Sequence, residues 1–82
     1  SCQGAIKSCV TDLSAQYAEN ASKIELKCPL DGEADRIVAK IKGSNGELED
    51  ITVAEKLGQS GYKISGKFIA KTGNVTCEAK TN

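Results

Sequence analysis

The sequence predicts an α+β fold: an N-terminal helix packed on a four- to five-stranded antiparallel β-sheet and fastened by two disulfides. Three observations carry this reading. The opening stretch to Tyr17 spaces its apolar side chains three and four apart, the spacing changes to alternation from Lys23 onward, and a chain of only 82 residues holds four cysteines. This length fits one domain, residues 1–82, whose hydrophobic core alone leaves a thin stability margin. With one Phe, two Tyr and no Trp or Met, packing falls to Ile, Val, Leu and Ala, so covalent fastening matters more.

The helix comes first. Cys2, Ile6, Cys9, Val10, Leu13 and Tyr17 share one stripe, with Lys7, Ser8, Thr11, Asp12 and Ser14 outside it. Cys2 and Cys9 lie two turns apart, so both thiols point toward the surface that receives the apolar stripe. The pattern fades through Ala18–Ser22, where Asn20, tolerant of a left-handed conformation, suits the helix end.

Strands follow. Lys23–Leu30 alternates, with Ile24, Leu26, Cys28 and Leu30 on one face and charged residues opposite. Pro29 cannot donate to a ladder, which puts this strand at an edge or ends it there. Asp31-Gly32-Glu33 forms a turn. Ala34–Gly43 fits either a short helix or a strand; Asn45-Gly46 beyond it, a strong hairpin signal, favours the strand. The hairpin's second arm is Leu48–Ala54, and both turn residues are expected at positive φ. Gly58–Gly61 turns the chain into Tyr62–Lys71, where Tyr62, Ile64, Phe68 and Ala70 share a face and Gly66 marks a bulge or a bend over the helix. Thr72-Gly73-Asn74 leads to a last strand with Val75, Cys77 and Ala79 on one side.

The four cysteines read as two disulfides, and hence as a secreted or otherwise oxidised location. There is no His and no C-x-x-C pair, and the intervals Cys2–Cys9–Cys28–Cys77 match no zinc spacing, so neither a metal nor a cofactor is expected. Geometry favours one pairing. Cys28 lies about 17 Å along its strand at ~3.4 Å per residue. Cys9 lies about 18 Å back along the helix at ~1.5 Å per residue. The equal heights favour Cys9 with Cys28, which leaves Cys2 with Cys77. The rival is Cys2 with Cys28 and Cys9 with Cys77. A Cys2–Cys9 bridge would have to span about 10 Å on a regular helix, too far for a disulfide.

Eleven basic and eleven acidic residues cancel and are mixed along the chain, unlike a nucleic-acid binder or a polybasic anchor. No apolar run has transmembrane length, so membrane insertion is not expected. No signal peptide is present, and a secreted chain would be the mature form. Asn20-Ala21-Ser22 and Asn74-Val75-Thr76 are N-glycosylation sequons. The absence of His excludes Ser–His and Cys–His nucleophile pairs. Glu47, Glu49, Asp50 and Glu55 gather around one hairpin and read as a solvated face beside Lys56. Asp31–Asp35 lacks the ligand order of a calcium loop, and the glycines are scattered one per turn rather than forming a phosphate loop. The expectation is a non-enzymatic protein, monomeric, that acts on a protein or cell-surface partner.

Two resemblances extend that expectation. Ile24–Pro29 and Gly73–Asn82 look like the two cysteine-bearing strands of immunoglobulin domains, which implies Cys28–Cys77, but the core Trp and the Tyr two residues before the second cysteine are missing. The short chain opening on a helix with Cys2 and Cys9, followed by a small antiparallel sheet, resembles the secreted effectors and killer-toxin-like proteins of fungi. That resemblance rests on size, cysteine usage and layout, and implies an extracellular protein acting by binding. A cystatin-like protease inhibitor would share the helix-on-sheet layout, although its Gln-x-Val-x-Gly hairpin is absent.

Overall fold

The computed structural model describes every residue from Ser1 to Asn82. Helix α1 spans Cys2–Glu19. Ser1 is its N-cap: the Oγ accepts the backbone N–H of Gly4 at 3.1 Å, which satisfies one of the unpaired donors of the first turn. Ile6, Cys9, Val10 and Leu13 are buried, as the stripe requires. In the last turn the Tyr17 hydroxyl donates to the Ser44 carbonyl at 3.2 Å. The helix ends at Asn20 in an extended conformation, φ −149° and ψ 104°, rather than a left-handed one.

Six strands follow, in two three-stranded antiparallel sheets rather than one sheet of four or five. The first sheet has the order β1 (Glu25–Leu30), β2 (Glu33–Lys42), β3 (Glu47–Leu48). The second has the order β4 (Ile51–Leu57), β5 (Tyr62–Ile69), β6 (Asn74–Thr81). The division falls inside the expected strand Leu48–Ala54. β3 pairs with β2 only through Ile41–Leu48 and Lys42–Glu47. Glu49 then donates its N–H to the Lys40 carbonyl, and the Asp50 carboxylate accepts the Ala70 N–H at 2.8 Å. Asp50 thus ties the chain to the turn of the second sheet, and the strand restarts there at Ile51.

The Ala34–Gly43 ambiguity resolves as strand. The tight two-residue turn, however, is Asp31-Gly32 and not Asn45-Gly46. Leu30 pairs with Glu33 across it, and Asp31 (φ +52°) and Gly32 (φ +75°) are both left-handed, as a type I′ turn demands. The β2–β3 connection is the four-residue loop Gly43–Gly46, in which Gly46 is at φ +79° while Asn45 is not at positive φ. Pro29 sits where the β1–β2 register shifts, between Cys28 and Leu30, with Asp35 opposite it at φ +59°. The proline that cannot bond is thereby absorbed in an irregularity of an edge strand.

The second sheet carries its bulge on β4: Ala54 and Glu55 lie opposite the single residue Ser65. Gly66 itself plays another part. A Cβ there would stand 2.8 Å from Ile6 Cδ1, 3.2 Å from Cys77 Sγ and 3.3 Å from Cys2 Sγ. Glycine is what lets α1 and its disulfide rest directly on β5. The core joins Ile6, Cys9, Val10 and Leu13 of the helix to Leu30, Ile37, Ala39, Ile41, Ile51, Val53 and Phe68. Two residues expected on the buried face escape it, Ile24 at 52% and Tyr62 at 49% exposed.

The disulfides are Cys9–Cys28, Cα atoms 6.0 Å apart, and Cys2–Cys77, Cα atoms 6.2 Å apart. Cys28 lies on β1 and Cys77 on β6, the outer strand of each sheet. One helix is therefore bonded to both sheets. The Cys28–Cys77 bridge implied by the immunoglobulin-like reading is not formed, because each of those cysteines is joined to the helix instead.

Candidate functional site

The cysteines and three of the four hairpin carboxylates have structural partners. All four cysteines are in disulfides. The acidic residues near the β2–β3 hairpin do not converge. Glu47 accepts from Asn45 Nδ2 at 3.2 Å, Asp50 caps Ala70, and Glu55 pairs with Lys80 (3.4 Å). No group of three side chains is placed to hold a metal ion. Both sequon asparagines are exposed. Asn20 Oδ1 accepts the N–H and the hydroxyl of Ser22, at 3.1 and 2.7 Å. Asn74 opens β6, its N–H donating to Thr72 Oγ1 at 3.2 Å.

What remains is a surface, at the end of the molecule where α1 begins. Along β5, Phe68 and Gly66 are buried under the helix, and Ile64 and Tyr62 continue the same row. The helix starts at Cys2, bonded to Cys77, and Cys77 pairs with Gly66. Tyr62 lies about 14 Å along β5 from that contact at ~3.4 Å per residue and is exposed, with half-buried Ile64 between them. Their partners on β6, Ala79 and Thr81, are exposed. Beside this row runs a cleft of about 420 Å³ with an apolar floor of Cys2, Ala5, Leu30 and Ile64, flanked by Pro29 and Asp31.

Two devices hold this end in shape. The first is a clasp between the β1–β2 and β4–β5 turns. The Asp31 carboxylate accepts the Ser60 N–H (3.0 Å) and hydroxyl (2.7 Å), the Asp31 carbonyl accepts the Gln59 N–H (3.0 Å), and Gln59 Nε2 donates to the Gly32 carbonyl (3.2 Å). The second is Arg36, the only arginine. Its Nη2 donates to the Ala54 carbonyl at 3.2 Å and the Ile64 carbonyl at 2.7 Å. The carbonyls beside the β4 bulge thus find a donor from the other sheet, and β5 is pinned directly behind the cleft. A preformed apolar cleft beside an exposed tyrosine can take up an apolar side chain of a partner at little ordering cost.

The fold is that of a small α+β protein, one helix on two three-stranded antiparallel sheets, braced by two disulfides. Comparison with protein-family models, with curated proteins and with solved structures found no significant match. No helix is long and apolar enough to cross a membrane.

Alternation assigns Tyr62 and Ile64 alike to the core, and Ile64 does pack against it in part, so the sequence hides only the exposure of Tyr62. The signal that exposes it is a combination. With Cys2 joined to Cys77 and Gly66 opposite Cys77, Tyr62 lies past the start of the helix, while Ile64 is half-covered beside Cys2 and Ala5.

Proposed function

We propose that the protein is a secreted, non-enzymatic binding protein of the effector or toxin class that engages an extracellular or cell-surface protein through the Tyr62–Ile64 row and its cleft. The observation that supports this is an exposed Tyr62 and half-buried Ile64 beside an apolar cleft on a braced scaffold: two disulfides, the Asp31–Ser60 clasp and the Arg36 bridge all hold it. The disulfides themselves favour an oxidising compartment. Exposed Asn20 and Asn74 are the acceptor sites in a eukaryotic secretory route.

The reading is tested by immobilising the disulfide-intact protein and capturing surface and secreted proteins of candidate target cells, with Tyr62→Asp as the control. The expected result is a partner retained by the wild type and lost by a variant that melts at the wild-type temperature. Retention unchanged in Tyr62→Asp would move binding elsewhere. Robust turnover in a hydrolase substrate panel would overturn the non-enzymatic reading.

A further inference from the structure

Natural sheets blunt their edges, because an edge strand offers unpaired N–H and C=O groups to any other chain. Three of the four edges in this molecule are blunted. β1 carries Pro29 and a register shift. β3 has two residues. β4 is bulged, lies against β2, and has its Ala54 carbonyl occupied by Arg36. β6 has none of these features. It pairs with β5 through eight consecutive residue pairs without a shift and contains no proline. Beyond Asn74, its backbone makes no hydrogen bond outside that ladder. From Glu78 to Thr81 every residue is also exposed.

We propose that this edge is an interface between two copies of the chain, joined antiparallel β6 to β6′ about a twofold axis through Ala79. Register selects the position. When two sheets continue one another about an axis normal to them, opposed residues share a face, so the axis passes through a residue. An axis at Glu78 or Lys80 opposes like charges, and one at Cys77 brings the two helices together over the joint. At Ala79 the small side chains meet on the axis, Cys77 faces Thr81′, and Glu78 faces Lys80′ twice. Opposite charges directly across a ladder stabilise it and like charges destabilise it. The product is one six-stranded sheet, β4-β5-β6-β6′-β5′-β4′. It brings the two Tyr62–Ile64 rows onto the same face, whatever that face binds.

The test is sedimentation of the disulfide-intact protein from micromolar to millimolar concentration. Because Lys80 also pairs with Glu55, the charge variants are made in a Glu55→Gln background. A reversible monomer–dimer equilibrium is expected. Glu78→Lys and Lys80→Glu should each weaken it about tenfold, since each opposes like charges twice. The double variant, which restores opposite charges, should return to within about threefold of the background. Melting curves check that each variant is folded. A monomer at every concentration, single reversals without effect, or a double variant no tighter than the singles would each overturn the proposal.

Discussion

Gly66→Ala places a methyl group where the helix touches the sheet. The new Cβ would lie 2.8 Å from Ile6 Cδ1, about 1 Å inside the optimal carbon–carbon separation. Ile6 is 0% exposed, so its side chain has no open space to swing into. The sulfurs at 3.2 and 3.3 Å belong to the Cys2–Cys77 bridge and cannot rotate away. Overpacking of this kind costs about 2–3 kcal/mol. Replacing a strand glycine returns about 0.5–1 kcal/mol of backbone entropy. The net expectation is a loss of about 2 kcal/mol, or a fall in Tm of about 8–16 °C for a domain of this size. Ile6→Val removes the clashing Cδ1 and should cost about 1 kcal/mol alone. In the double variant the two changes should compensate by at least about 1 kcal/mol. Thermal unfolding of the four proteins, monitored by far-UV circular dichroism with the disulfides intact, measures both quantities. A neutral Gly66→Ala, or strict additivity with Ile6→Val, would refute the idea that Gly66 is set by the approach of Ile6.

Three further outcomes follow from the same geometry. Removing the bridges one at a time should separate them: the chain-entropy relation gives about 4–5 kcal/mol for Cys2–Cys77, with its sequence separation of 75, and about 3 kcal/mol for Cys9–Cys28, with 19, measured by denaturant unfolding of the paired Cys→Ala variants. Gly46→Ala should cost about 1 kcal/mol or more, because Gly46 is at φ +79° and a Cβ would stand 3.0 Å from the Tyr17 ring; Asn45→Ala, without positive φ to protect, should cost less, and equal losses in melting experiments would contradict this assignment. Asp31→Gly keeps the turn conformation but deletes the clasp to Ser60, and should cost about 1–2 kcal/mol while raising amide exchange at Ser60; unchanged exchange there would show that the clasp does not hold the two turns together.

The sequence reveals those parts of this molecule that local periodicity controls. The helix stripe from Cys2 to Tyr17, the β-strand at Cys28 and the choice of partner for Cys9 all follow from rise per residue. Turn chemistry was legible in kind but not in place. Both Asp31-Gly32 and Asn45-Gly46 carry the signature of a tight hairpin, and only the lengths of the paired arms decide which one adopts it. The division into two sheets was not legible. It depends on Asp50 bonding the Ala70 N–H twenty residues away, and a single carboxylate in an acidic stretch gives no notice of that. Arg36 is similar: its role comes from a bulge on another strand. The exposure of Tyr62 was hidden for a related reason, since Tyr62 and Ile64 follow the same core alternation and the helix starts short of Tyr62.

The Cys2–Cys77 bridge also makes the chain a ring, and a ring answers proteases differently from a line. Hairpin-tip residues such as Ser44, Ser60 and Thr72 are exposed and all lie between the two bridged cysteines. A single cut at any of them opens the ring without releasing a fragment, and the helix, still bonded to β1 and β6, keeps both sheets attached. Nicked molecules should therefore migrate as whole protein until a reductant is added. In a medium rich in proteases, the first cleavage is a change of topology and not yet a loss of the protein.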